Sequence, residues 1–158
     1  MSKKEECSAV TFAIAEDEPL ESEGMEAFIL RSFPQASVLW RGGDGESALD
    51  AVHAQTPDVL IVDIEMPVLN GLQLCEILYR ENYNGVILIN TAYSKFSYAK
   101  KAISLKVFDY ILKPMDNDEL YTVLSACIAE ATRRKTERSQ KDRHKKMALE
   151  VSQYAFSL

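Results

Sequence analysis

Short apolar runs recur along the chain at regular intervals: Val10 to Ala15, Ser37 to Trp40, Val59 to Val62, Val86 to Ile89 and Val107 to Leu112. Each reads as a strand. Between them lie segments with helical spacing, such as Leu20, Gly24, Ala27 and Phe28 in the first and Gly71, Leu72, Cys75, Leu78 and Tyr79 in the third. Strand and helix alternating five times implies parallel strands joined by right-handed crossovers, with helices on both sheet faces. The third and fourth runs lack polar alternation, as expected of strands buried on both sides. The second, which contains Trp40 and is followed by Arg41, reads as an edge. Pro19 suits the first position of a helix, Gly42, Gly43 and Gly45 bracket a loop, and Asn70-Gly71 and Asn84-Gly85 mark turns.

A length of 158 residues with 47% hydrophobic side chains fits one globular domain with a little chain to spare. The longest aliphatic runs fall far short of the roughly 18 residues of a membrane span. The first seven residues, Met1 to Cys7, hold no apolar stretch that would direct secretion, so a cytoplasmic location and no membrane partner are expected. Cys7, Cys75 and Cys127 are widely spaced and without a Cys-x-x-Cys, which supports reduced thiols over a disulfide framework or a zinc site.

Charge divides the chain in two. Residues 1–131 carry 10 basic and 21 acidic side chains, a net of −11, whereas residues 132–158 carry 8 basic and 3 acidic, a net of +5. An acidic body repels phosphates, so DNA contact is expected only through an output domain beyond this chain. The last helix, from about Asp118, has an apolar stripe of Leu120, Val123, Leu124, Cys127, Ile128 and Ala131. Residues 132–146 contain no apolar residue, no Gly and no Pro, which suits a solvated helix and not a packed one. Pairs at i and i+4 (Glu130 with Arg134, Glu137 with Lys141, Asp142 with Lys146) support that helix. The expected division is a body at 9–131 and a charged helical linker or tail at 132–158.

In an open α/β sheet, ligands bind beyond the carboxyl ends of the strands. Here those ends carry Glu16-Asp17-Glu18, Asp63, Thr91 and Lys113-Pro114. Each has an ordinary structural reading: a helix cap for Glu18 and Thr91, a turn former for Asp63, a solvated charge for Lys113. Converging, they describe something else. Several carboxylates at one edge call for a hard cation with oxygen ligands, and Mg²⁺ suits a site completed by waters and phosphate oxygens. A carboxylate nucleophile, a metal held by acids, a hydroxyl donor and a cation for phosphoryl oxygens together make a phosphoryl-transfer site.

Four spaced motifs carry a resemblance over about residues 9–131: Ile14-Ala-Glu-Asp-Glu-Pro19, Asp63-Ile-Glu-Met-Pro-Val-Leu-Asn-Gly71, Asn90-Thr-Ala92 and Phe108-Asp-Tyr-Ile-Leu-Lys-Pro114. The sequence closely resembles the receiver domain of bacterial two-component response regulators. The resemblance implies a flavodoxin-like three-layer fold, a five-stranded parallel sheet of order 2-1-3-4-5, with the last helix extended. It implies that Asp63 accepts a phosphoryl group from a sensor histidine kinase. Glu16 and Asp17 match the acidic pair, with Asp17 and Asp63 binding Mg²⁺ together with the main-chain carbonyl of Glu65. Lys113 matches the phosphoryl-contacting lysine, Thr91 and Tyr110 match the two switch positions, and Lys113-Pro114 is expected to be cis. Phosphorylation would switch the surface of the fourth helix, fifth strand and fifth helix, which is also the expected homodimer face. Glu16 stands where Asp is commoner, and its longer side chain bears on metal affinity.

Tyr93 to Ile103 further resembles receivers that precede an AraC-type helix-turn-helix output domain. A receiver and linker cut from a longer transcriptional regulator is the favoured expectation, with a stand-alone phosphorelay receiver as the alternative. A Mg²⁺-dependent phosphohydrolase with an Asp nucleophile is a weaker rival, because such enzymes carry Asp-x-Asp at the first strand. A flavodoxin is another, but Glu16-Asp17-Glu18 would repel its flavin phosphate. No enzymatic turnover beyond the receiver's own phosphoryl transfer and dephosphorylation is expected. His53, His144 and Trp40 read as structural or solvated, and Met66-Pro67 as shaping the loop beside Asp63.

Overall fold

A computed structural model describes residues 9–156, with the side chain of Phe156 left aside; the reduced-thiol expectation for Cys7 lies outside the described residues. Five strands, β1 (Thr11–Ala15), β2 (Ser37–Gly42), β3 (Val59–Val62), β4 (Val86–Thr91) and β5 (Asp109–Leu112), alternate with α1 (Pro19–Ser32), α2 (Gly45–Ala54), α3 (Gly71–Arg80), α4 (Phe96–Ser104) and α5 (Asn117–Phe156). The strands lie in the order β2-β1-β3-β4-β5, and every pairing is parallel. This is the flavodoxin-like arrangement expected.

Alternate residues of the inner strands feed two cores. Ala13, Ala15, Leu60, Val62, Ile87 and Ile89 face α2, α3 and α4, where Val52, Leu74, Leu78 and Leu105 close over them. Phe12, Ile14, Val59, Ile61, Val86 and Leu88 face the other way, against Phe28 and Ile29 of α1 and Leu124 and Cys127 of α5. β3 is buried at all four residues, whereas β2 has none fully buried, as an edge strand should. Trp40 packs partly on the first core and donates its indole N–H to the carbonyl of Gln55 at 3.1 Å.

Three local features differ from the sequence expectation. In α1 the inward face is Ser22, Met25, Phe28 and Ile29, while Leu20 is 83% exposed. Buried Ser22 is satisfied by donating to the carbonyl of Pro19 and accepting from Arg41, so a polar residue holds the place that hydrophobicity assigned to Leu20. In α3, Leu74 turns inward and Tyr79 outward. The fifth strand starts at Asp109 and not at Val107, because Val107 N–H closes back on the carbonyl of Ala102 after Lys106 takes a left-handed conformation (φ 57°). Val107 thus belongs to the C-terminal cap of α4.

α5 is 40 residues long, about 60 Å at 1.5 Å per residue. Its apolar contacts with the sheet end at Ala131, but two polar contacts follow. Arg134 donates to the carbonyl of Gly85 at 2.7 Å, and the Lys135 ammonium lies 3.1 Å from Asp58, whose carboxylate also accepts from the N–H and hydroxyl of Thr11. Of the three expected i, i+4 pairs, Glu130 with Arg134 forms at 2.9 Å; Glu137 instead pairs with Arg133 one turn earlier. Among the described residues no ion pair joins Asp142 to Lys146. Among the described residues, no helix is long and apolar enough to cross a membrane.

Candidate functional site

The carboxyl ends of β1, β3, β4 and β5 bring Glu16, Asp17, Asp63, Thr91 and Lys113 to one edge of the sheet. Each arrives on short, tightly held backbone. Glu16 N–H donates to Gly42 O and Asp63 N–H to Ala15 O, which continues the strand ladders one residue past β1 and β3. Lys113 N–H donates to Thr91 O, and the Lys113-Pro114 peptide is cis, as the resemblance implied. Beyond Asp63 the chain turns through Met66, Pro67 and Val68, and Asn70 caps α3 in a reciprocal capping box with Gln73. Asn70 is thus a cap more than a turn residue. Gly71 is required sterically: a Cβ there would lie 2.1 Å from the carbonyl oxygen of Asp63. Val68 is held at φ 69°, rare for a β-branched residue, in this same loop.

Ligand oxygens of Glu16, Asp17 and Asp63 all lie within 4.8 Å of one another. Glu16 and Asp63 are buried and Asp17 is exposed. The Lys113 ammonium sits among them, 2.9 Å from Asp63 Oδ2 and 3.3 Å from both oxygens of Glu16. It also contacts Glu21 Oε2, from the first turn of α1. Asp63 Oδ1 accepts the N–H of Glu65 at 3.2 Å.

The electrostatics follow from this crowding. Burial, with hydrogen bonds to Asp63 and Glu21, pushes the Glu16 carboxyl up to about 9. Burial works against ionisation of Asp63 too, but hydrogen bonds with Glu16 and Lys113 hold its carboxyl below the usual range. Burial also opposes the charge on Lys113, and its carboxylate partners outweigh it, so the ammonium is held firmly protonated. The cluster therefore pairs an ionised, buried carboxylate with a fixed cation and a protonated acid. An all-oxygen set of three carboxylates within 4.8 Å of one another, two of them buried, fits a hard divalent cation.

Thr91 is fully buried, and its Oγ1 accepts the N–H of Tyr93 at 3.3 Å. Tyr110 is half-buried in β5, and its hydroxyl donates to the carbonyl of Tyr93. The two expected switch residues are therefore joined through one residue of the β4–α4 loop. Glu18 occupies the cap position of α1 but makes no side-chain cap bond. His53 lies away from the strand-end edge on α2, 2.7 Å from Glu81 at the surface. Sequence reasoning missed Glu21, whose one available signal was an acid in the first turn of a helix starting at the strand edge.

The response regulator receiver domain matches over residues 12–125, most of the sheet and its helices. The chain belongs to that family. Receivers are not an enzyme family in the ordinary sense. Over 115 residues the chain is 31% identical to the transcriptional regulatory protein HptR of Staphylococcus aureus, covering 73% of this chain and 45% of HptR. The receiver chain thus spans about half the length of that relative. Among solved structures it resembles the receiver domain of AraT, a response regulator from Geobacillus stearothermophilus (35% identity, TM-score 0.69, 84% of this chain and 98% of that one). It also resembles a DNA-binding response regulator of the LuxR family from Staphylococcus aureus (26% identity, TM-score 0.71, 75% and 98%). A transcriptional regulator and a DNA-binding response regulator of the LuxR family are thus among the proteins it resembles.

Proposed function

We propose that the chain is the phosphorylation-controlled input half of a transcriptional regulator, with Asp63 as phosphoacceptor. The single observation that carries this is Asp63 itself: buried, ionised, and 2.9 Å from a lysine ammonium at the end of β3. A carboxylate oxygen attacks the phosphorus of a phosphohistidine on a sensor histidine kinase. The new O–P bond forms as the P–N bond breaks, and the imidazole leaves and takes a proton from water. Lys113 is placed to pair with the phosphoryl oxygens in a water-poor pocket, where such a charge is most effective.

Glu16, Asp17, Asp63 and the main-chain carbonyl of Glu65 would hold Mg²⁺, which supplies positive charge for the transferring phosphoryl group. Thr91 then gives up Tyr93 N–H and turns its hydroxyl toward the phosphoryl oxygens. The Tyr110 ring follows into the space released. The α4-β5-α5 surface changes as a result, and Ile103 (77% exposed) and Leu112 (43% exposed) support its use as a homodimer face. Residues 132–158, helical as far as Phe156 among the described residues, serve as a charged linker toward an output domain that binds DNA, of AraC type on the likeness of Tyr93 to Ile103. The receiver's only chemistry is its own phosphorylation and dephosphorylation, in the cytoplasm. Incubation with Mg²⁺ and acetyl phosphate, read by intact mass, is the test: wild type gains one phosphoryl group and Asp63→Asn gains none. A labelled Asp63→Asn overturns the assignment.

A further inference from the structure

An ammonium has three N–H donors. Those of Lys113 face Asp63, Glu16 and Glu21 together, so none is left over for a phosphoryl oxygen. The three partners are not equivalent. Side chains of Asp63 and Glu16 are 9% and 7% exposed, fixed at strand ends, whereas that of Glu21 is 50% exposed and reaches in from a helix. Glu21 and Lys113, in contact with each other, both line a groove of about 380 Å³ between α1 and the segment from β5 to α5, also lined by Met25, Pro114 and Met115. The small cavity that Glu16, Glu21, Asp63 and Lys113 line together with Ile14, Met25 and Asn90 is about 20 Å³, room for about one water and not for a phosphoryl group.

We infer that Glu21 is a positioning residue that holds the Lys113 ammonium on the α1 side of the site and opposes its transfer to the incoming phosphoryl group. The inference rests on the reading of Asp63 as phosphoacceptor. Phosphodonors are anions, and the phosphoryl group adds negative charge beside Asp63. Lys113 must exchange one carboxylate for a phosphoryl oxygen, and Glu21 is the partner it can release without disturbing a strand end. Glu21 thereby competes for the cation the reaction needs and adds one more negative charge at the mouth of the pocket. It acts as a brake on phosphorylation that is released when the ammonium moves.

The test uses the full chain at saturating Mg²⁺ with acetyl phosphate, following labelling of wild type, Glu21→Gln and Glu21→Asp by intact mass, with thermal unfolding to verify the fold. Glu21→Gln is expected to label about two- to fivefold faster at low salt, the scale of a half-exposed ion pair, with the advantage shrinking as salt is raised. Beryllofluoride, a phosphoryl mimic, should bind it more tightly by a similar factor. Glu21→Asp keeps the charge but is one methylene shorter, so it should label faster than wild type and more slowly than Glu21→Gln. A Glu21→Gln rate at or below wild type overturns the inference, as does a Glu21→Asp rate equal to wild type, which would assign the effect to charge without contact. Absence of labelling in wild type would instead overturn the Asp63 reading beneath it.

Discussion

The hydroxyl of Tyr110 donates a 2.6 Å hydrogen bond to the main-chain carbonyl of Tyr93. The N–H of the same residue is held by Thr91 Oγ1, so the β4–α4 loop is tied to the two switch positions on both sides of Tyr93. Movement of Thr91 toward Asp63 would free that N–H and loosen the seat of Tyr110. Tyr110→Phe removes one tie and should cost about 0.5–1.5 kcal/mol in urea unfolding, with faster hydrogen exchange confined to residues 92–96. Thr91→Ala should still be phosphorylated on Asp63, while the shift of Tyr110 NMR resonances on adding beryllofluoride weakens. An undiminished shift would disconnect the two residues.

Glu16 links stability to pH and metal. Its carboxyl is raised to about 9 by burial and by hydrogen bonds to Asp63 and Glu21, so the folded protein holds a proton that the unfolded chain releases near 4.5. A raised folded value gives stability that is complete below the unfolded value and lost as pH climbs through the folded one. Metal-free protein should therefore melt lower at pH 8 than at pH 6. Mg²⁺ displaces the proton, so the rise in Tm on adding it should be greater at pH 8. At a hundredfold excess over Kd the stabilisation should approach about 2.7 kcal/mol. A Tm response to Mg²⁺ independent of pH would remove Glu16 from the metal set.

Gly71 ties the start of α3 to the backbone of Asp63. A methyl group there meets Asp63 O at 2.1 Å and Val62 Cγ1 at 2.8 Å. Gly71→Ala should destabilise by about 1–3 kcal/mol, as overpacking does, and slow labelling by displacing Asp63. Unchanged unfolding and labelling would show that the helix start can yield.

The alternation of strands and helices and the strand-end residues were legible because apolar runs buried on two faces and the ligand edge of a parallel sheet are properties of chain pattern, whereas the sheet order came from the resemblance to receivers. Glu21 was not, since its contact with Lys113 depends on how far α1 leans across a groove, 92 residues away in sequence. Burial of Ser22 in place of Leu20 was illegible for a related reason: Arg41 and Pro19 satisfy the hydroxyl, and no hydrophobic period records that. In the tail, charge order correctly paired Glu130 with Arg134 but not Glu137 with Lys141, because Arg133 reaches both acids from one helix face.

Contacts past Ala131 make the tail partly structural. Truncation after Ala131 removes the bonds from Arg134 to Gly85 O and from Lys135 to Asp58, and should cost about 1–2 kcal/mol. Truncation after Lys141 keeps both and should stay within about 0.5 kcal/mol of the full chain. Equal stability of the two truncations would show that these contacts hold nothing.

Asp63 as phosphoacceptor is tested most directly by locating the modified residue. Protein labelled with acetyl phosphate and Mg²⁺ is reduced with borohydride, which converts an aspartyl phosphate to homoserine, and its peptides are mapped by mass. Homoserine at position 63 and nowhere else is the expected result; reduction at Asp17 or Asp58, or no homoserine in a labelled sample, would contradict it.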